Sequence, residues 1–159
     1  MDSRKKARIR QKIEAYRDIV EKISTLSASS TLKVGCMALR KNFTKIASFG
    51  YNGSYRNSPI LNETGTEEES LEPGKSGFIH SELNMAIKFR EHDPENYIIL
   101  LTHSPCKDCT KVLINAGFLY IYWIHEYRIK DHFDIFDYCG VKYGNIEKLI
   151  EDYEEILAK

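Results

Sequence analysis

The sequence predicts an α/β fold: a mixed sheet of five short strands with helices on both of its faces. Three observations carry that prediction. Apolar runs of strand length alternate with stretches whose apolar residues recur at helical spacing. The run 119–124 is continuously apolar, as expected of a strand buried on both faces. The order strand–helix–strand through 97–102, 106–116 and 119–124 requires a right-handed crossover, which makes those two strands parallel. A hairpin around Lys41-Asn42 adds an antiparallel pair, so the sheet is mixed. At 159 residues the chain is expected to form one domain, 1–159, with 54–79 as an inserted loop or lid.

The elements follow in order. Ile9, Ile13, Tyr16, Val20, Ile23 and Leu26 recur at three- and four-residue steps and predict an amphipathic helix over about 4–26. Arg4, Lys5, Lys6, Arg8, Arg10 and Lys12 make its first half basic, which we read as a solvated face rather than a polyphosphate contact. Strands are expected at 34–39 and 46–49, followed by a turn at Gly50-Tyr51-Asn52-Gly53, where Asn and Gly tolerate positive φ. The 54–79 stretch carries Pro59, Gly65, Pro73-Gly74, Gly77 and the acidic Glu63, Glu67, Glu68, Glu69 and Glu72. A loop this long in a compact domain is usually functional or mobile.

A helix over 80–90 is ended by Asp93-Pro94, and a strand follows at 97–102. The helix 106–116 would turn Val112, Leu113 and Ala116 inward and stop at Gly117. After the strand 119–124, a helix over 131–139 ends at Gly140, 141–143 forms a last strand, and a helix over 147–157 turns Leu149, Ile150, Tyr153, Ile156 and Leu157 inward.

Composition excludes several functions. Formal net charge is zero, whereas proteins that bind nucleic acid as their main task carry a basic excess. No apolar run approaches the roughly 20 residues of a membrane span, and the charged N-terminus lacks an apolar signal region, so a cytoplasmic setting is expected. The four cysteines fit a reducing compartment better than a disulfide framework, with Cys36 and Cys139 expected as small core residues.

The chemistry concentrates in His80-Ser81-Glu82 and Pro105-Cys106-Lys107-Asp108-Cys109. A lone Cys-x-x-Cys could be half of a structural metal site or a redox pair. Joined to His-x-Glu, it becomes the pattern in which one imidazole and two thiolates hold zinc and the Glu carries protons. Three protein ligands leave a fourth tetrahedral position for water. Cys106 and Cys109 share one helix face, and the positive end of the helix dipole favours their thiolates. His80 and Glu82 stand about 200° apart on an ideal helix, so they converge on one metal only if His80 lies at or before the helix start.

Around these residues the chain resembles the cytidine deaminase superfamily, and more closely its deoxycytidylate (dCMP) deaminase branch. Lys33-Val34-Gly35-Cys36 resembles the family's first strand, and Gly50-Tyr51-Asn52-Gly53 its G-Y-N-G turn. His80-Ser81-Glu82-Leu83-Asn84 and Ser104-Pro105-Cys106-Lys107-Asp108-Cys109 are similar to its two zinc blocks, with Ser81 replacing the usual Ala and Met85 splitting Asn84 from Ala86. The resemblance spans about 32–141. It implies a three-layer α-β-α cytidine deaminase-like fold and zinc-dependent hydrolytic deamination of dCMP to dUMP with release of ammonia. It also implies zinc on His80, Cys106 and Cys109, and Glu82 as the catalytic acid and base. Asn52 and Asn84 would bind the sugar–phosphate with Tyr127 near it. Tyr127, Arg128 and Lys130 resemble a Tyr-Arg-x-Lys stretch lining the nucleotide pocket.

Thr31 stands where many relatives carry an Arg that contacts phosphate, which passes that task to Lys33, Arg56, Arg128 or Lys130. A second zinc site, known in some relatives in the 54–79 region, is argued against by the lack there of Cys and His. A homo-oligomer (hexamer or dimer) and the effectors dCTP and dTTP follow from the resemblance alone. Competing readings are deamination of another cytosine nucleotide such as dCTP, of tRNA or single-stranded nucleic acid, or a non-catalytic zinc-stabilised subunit. Among the remaining histidines, His103 is a candidate for contact with the ligand shell; His92, His125 and His132 are expected as surface or hydrogen-bonded residues.

Overall fold

The computed structural model describes residues 2–58 and 77–159. The acidic run and the core of the expected 54–79 loop lie at 59–76, outside the described residues. The chain builds α1 (Ser3–Ser24), β1 (Gly35–Arg40), β2 (Ile46–Tyr51), α2 (Ser81–Lys88), β3 (Tyr97–His103), α3 (Lys107–Asn115), β4 (Tyr120–His125), α4 (Asp134–Tyr138), β5 (Lys142–Asn145) and α5 (Ile146–Ala158). The sheet order is β2-β1-β3-β4-β5. β1 is antiparallel to both β2 and β3, and β3, β4 and β5 are mutually parallel, so the sheet is mixed as expected.

Alternation along the strands divides the core into two layers. Met37, Ile98, Leu100, Tyr120 and Tyr122 face α1 and α5, meeting Ile9, Ile13, Val20, Leu149, Ile150, Tyr153 and Ile156. Cys36, Ala38, Ile99, Leu101, Ile121 and Trp123 face the other way, onto Met85 of α2, Leu113 of α3 and Phe136 of α4. This is the three-layer α-β-α arrangement. Among the described residues, no helix is long and apolar enough to cross a membrane.

Several expected core residues lie outside it, most of them near the end of an element. Leu26 sits past the end of α1, where the chain has turned away, and is 58% exposed. Leu119 precedes β4, and Leu157 lies in the last turn of α5; both are partly exposed. On α3 the inner stripe is Cys109, Thr110 and Leu113, so Val112 and Ala116 face outward, one position off the expected stripe. Cys139, the C-cap of the short α4, is exposed rather than in the core; Cys36 is fully buried. The helix expected over 131–139 is regular only from Asp134. Gly117 ends α3 with φ +96°, a conformation other residues rarely adopt.

The expected turn at 50–53 begins inside a strand, since Gly50 and Tyr51 complete β2. Gly50 has a packing reason to be glycine. A Cβ there would lie 2.4 Å from the backbone of Ser81 and Met85 in α2. The Ser48 hydroxyl donates to the Met85 carbonyl at 2.7 Å, and Asn84 Nδ2 donates to the Tyr51 carbonyl at 2.9 Å. The edge strand therefore grips α2 at backbone distance. Gly50→Ala is expected to cost about 1–3 kcal/mol in denaturant unfolding, as an overpacked contact with rigid backbone. It should also weaken metal binding, because α2 must move; a variant as stable as the parent would contradict this packing.

Candidate metal centre

The two helices that start above the sheet each begin on a metal-ligand residue. His80 is the N-cap of α2, extended at φ −67°, ψ 152°, so it points away from the helix spiral, as its spacing to Glu82 requires. Its position is set by Ile79, which pairs with Gly53: the Gly53 N–H donates to the Ile79 carbonyl at 3.1 Å, and the Ile79 N–H to the Gly53 carbonyl at 2.7 Å. Cys106 is the N-cap of α3, and its sulfur accepts from the Cys109 N–H at 3.5 Å. His80 Nδ1 lies 3.5 Å from Cys106 Sγ and 3.4 Å from Cys109 Sγ.

The ligand atoms of His80, Cys106 and Cys109 all fall within 4.8 Å of one another, the one such group of His, Cys and carboxylate side chains among the described residues. Their proton affinities are those of a crowded donor set. Hydrogen bonding from Cys109, outweighing burial, holds the Cys106 thiol down to about 4. Cys109, which donates that bond and is buried, is raised, and His80 is raised by its contact with Cys106. Two thiols thus share one proton beside an imidazole. This soft N/S set suits zinc, and the Cys106 thiolate needs a positive partner.

Glu82 is 4% exposed in the first turn of α2. Burial raises its carboxyl above the usual range, with the Cys106 charge acting in the same direction. The Ser81 hydroxyl donates to Oε2 at 2.9 Å and fixes one oxygen. Ser81 is itself fully buried. In the sequence Ser81 stands out only as a departure from the usual Ala; its contact with Glu82 becomes visible only in the fold.

The residues expected to touch substrate lie at the same end of the sheet, Asn84 on α2 and the others on the connecting segments. Asn52 spends both ends of its amide on the segment before β1: Oδ1 accepts from the Val34 N–H and Nδ2 donates to the Leu32 carbonyl, each at 2.8 Å. Asn84 leans back on Tyr51. Lys33 is exposed in the segment that Asn52 holds. Tyr127, Arg128 and Lys130 follow β4; Lys130 pairs with Glu126 at 2.8 Å, and the Arg128 guanidinium sits over the Tyr127 ring at 5.7 Å. His103 and His125 end adjacent parallel strands with their rings 5.2 Å apart. His103 Nδ1 pairs with the Thr102 hydroxyl at 3.1 Å.

Comparison with known proteins agrees with this geometry. The family described as the cytidine and deoxycytidylate deaminase zinc-binding region matches residues 10–124. The crystal structure of dCMP deaminase from cyanophage S-TIM5, in complex with dCMP and dUMP, superposes with a TM-score of 0.68 at 29% identity, covering 83% of this chain and 94% of that one. An uncharacterised deaminase in the luxG 3' region of Aliivibrio fischeri is 30% identical over 104 residues, 65% of this chain and 66% of its own. ComE operon protein 2 of Bacillus subtilis is 25% identical over 124 residues, 76% of this chain and 64% of its own. The chain therefore spans about two thirds of the length of these curated relatives.

Metal binding at such a site displaces protons. Cys106, held down to about 4 by hydrogen bonding from Cys109, contributes least to that release, while Cys109 and His80, both raised, contribute more. Zinc titration at pH 7 should therefore release between about one and two protons per site, read by calorimetry in buffers of different ionisation enthalpy. A release above two at about pH 6, where a metal-bound water keeps its protons, would mean that both thiols start protonated.

Proposed function

The chain belongs to the cytidine and deoxycytidylate deaminase family, and we propose that it converts dCMP and water to dUMP and ammonia. The observation that carries this reading is a buried carboxylate beside a three-residue metal set: Glu82 with His80, Cys106 and Cys109. A closed structural zinc site would have four protein ligands and no use for that carboxylate. The deoxynucleotide substrate is supported by the 29% identity to the cyanophage dCMP deaminase crystallised with dCMP and dUMP. Free thiols at the site fit a reducing, cytoplasmic setting.

His80, Cys106 and Cys109 would hold a zinc ion, which would supply Lewis acidity toward a water molecule in the site. Glu82 takes a proton from that water and passes it to N3 of the cytosine ring as C4 becomes tetrahedral. It then carries the second proton of the water to the departing 4-amino group, so that ammonia leaves and a carbonyl remains. One carboxyl does both tasks because it alternates between base and acid. Its raised proton affinity, set by burial, makes it a stronger base than a surface glutamate. The Ser81 bond holds the carboxyl group in one orientation during these transfers. Asn84, Tyr127, Lys33, Arg128 and Lys130 bind the sugar and phosphate, and Asn52 acts by fixing the 32–34 segment that presents Lys33.

Ammonia release from zinc-loaded protein given dCMP, dCTP, CMP, deoxycytidine and a short single-stranded RNA tests the substrate. Turnover confined to dCMP is expected; turnover of the oligonucleotide alone would replace the nucleotide-pool reading with an editing one. Glu82→Gln should keep its zinc and lose at least about 10²–10⁴-fold in kcat. Full activity in that variant would end this mechanism.

A further inference from the structure

The segment after β4 is tied twice to the turn that carries Cys106. The Tyr127 backbone N–H donates to the Ser104 hydroxyl at 2.6 Å. Five residues on, His132 Nε2 lies 2.9 Å from the Pro105 carbonyl. A carbonyl only accepts, so Nε2 carries the hydrogen and donates it. Ser104 and Pro105 are consecutive and lie directly before Cys106. Residues 127–132 thus form an arch with both feet on adjacent residues of the metal turn. The first foot is reinforced where the Ser104 N–H donates to the His125 carbonyl at 3.0 Å.

His132 is placed for this contact. It is 3% exposed, in a part of the fold otherwise filled by rings. Phe133 beside it packs against Trp123 at 5.0 Å and Tyr143 at 5.8 Å. An apolar side chain would fill such a site without desolvating two ring nitrogens. Nδ1 is buried without a hydrogen-bond partner among the described residues, and the exposed Asp131 carboxylate stands 3.7 Å away. The bond from Nε2 to Pro105 is therefore the polar contact that offsets the burial. It joins the arch bearing Tyr127, Arg128 and Lys130 to the start of α3.

We propose that His132 is a positioning residue: through the Pro105 carbonyl it holds the 127–131 arch at a fixed distance from the metal turn, and so sets where the substrate's sugar–phosphate sits relative to its reacting ring. This rests on the reading above that the arch contacts the nucleotide. The coupling acts on binding more than on the proton transfers, because Glu82 lies on a different helix, where its carboxyl is held by Ser81.

The test uses full-length, zinc-loaded protein with His132→Phe, which keeps ring bulk and loses the donor, and His132→Gln, which keeps an amide N–H at similar reach. His132→Phe should raise KM for dCMP about three- to tenfold, the worth of one net hydrogen bond, with kcat within about twofold, and His132→Gln should restore most of it. Amide hydrogen exchange over 127–131 should quicken in His132→Phe, and the visible spectrum of the cobalt-substituted protein should stay as in the parent. A lowered Tm with unchanged KM and unchanged exchange would reduce His132 to packing and overturn the proposal. An altered cobalt spectrum with unchanged KM would also overturn it, by making His132 serve the ligands rather than the arch. If the parent deaminates another cytosine compound and not dCMP, the substrate reading fails on its own; amide exchange, and KM for that compound, still decide the role of His132.

Discussion

Two helices have to begin at one point. α2 and α3 each place a ligand at the N-cap, and the metal set exists only because the two starts bring His80 Nδ1 to 3.5 Å from Cys106 Sγ and 3.4 Å from Cys109 Sγ. Each helix is located by a different strand. α3 follows the buried β3 through Ser104-Pro105, so Cys106 takes its position from the centre of the sheet. α2 takes its position from the edge strand β2, through Ser48, the Gly50 backbone and the Asn84–Tyr51 bond. The pairing of Gly53 with Ile79 ties the residue just before His80 to the segment that follows β2. The antiparallel β1–β2 hairpin on an otherwise parallel sheet is thus the part of the fold that delivers the imidazole and the carboxylate.

Charge explains why such a site needs a cation. A thiolate on Cys106, a second thiol on Cys109 and the buried Glu82 carboxyl converge here; Cys106 raises the proton affinity of both Glu82 and Cys109, and Glu82 raises that of Cys109. Desolvation adds to this at Glu82 and Cys109. Cys36, fully buried beneath them, is raised by burial and by Glu82, and supplies no compensating charge. A divalent ion on the three ligands would offset this accumulation and let both thiols ionise. The helix N-terminal dipoles and the Cys109 N–H contribute in the same sense, but they are partial charges.

What was legible in the sequence was local. His-x-Glu and Cys-x-x-Cys reveal their purpose through spacing alone, and the extended His80 follows from the angle between two residues on a helix. The stripes of α1 and α5 were legible in their centres and failed at Leu26 and Leu157, where the helix ends and periodicity no longer implies a neighbour. Val112 failed because α3 presents a narrow inner face shared with a ligand, Cys109. The contacts of Asn52 and His132 could not be read, since their partners, Leu32, Val34 and Pro105, lie far off in the chain and offer only backbone atoms. Backbone acceptors carry no residue-type signature, so no motif marks them.

The shared proton between Cys106 and Cys109 has a consequence for handling the protein. A thiol held down to about 4 is ionised across the whole physiological range, and Cys106 is partly open to solvent. Thiolates, not thiols, attack oxidants and disulfides. The metal that serves the chemistry is then also a protecting group: it occupies the sulfur lone pairs that would otherwise react. Loss of metal therefore uncovers a thiolate, which links it to oxidation of the thiols.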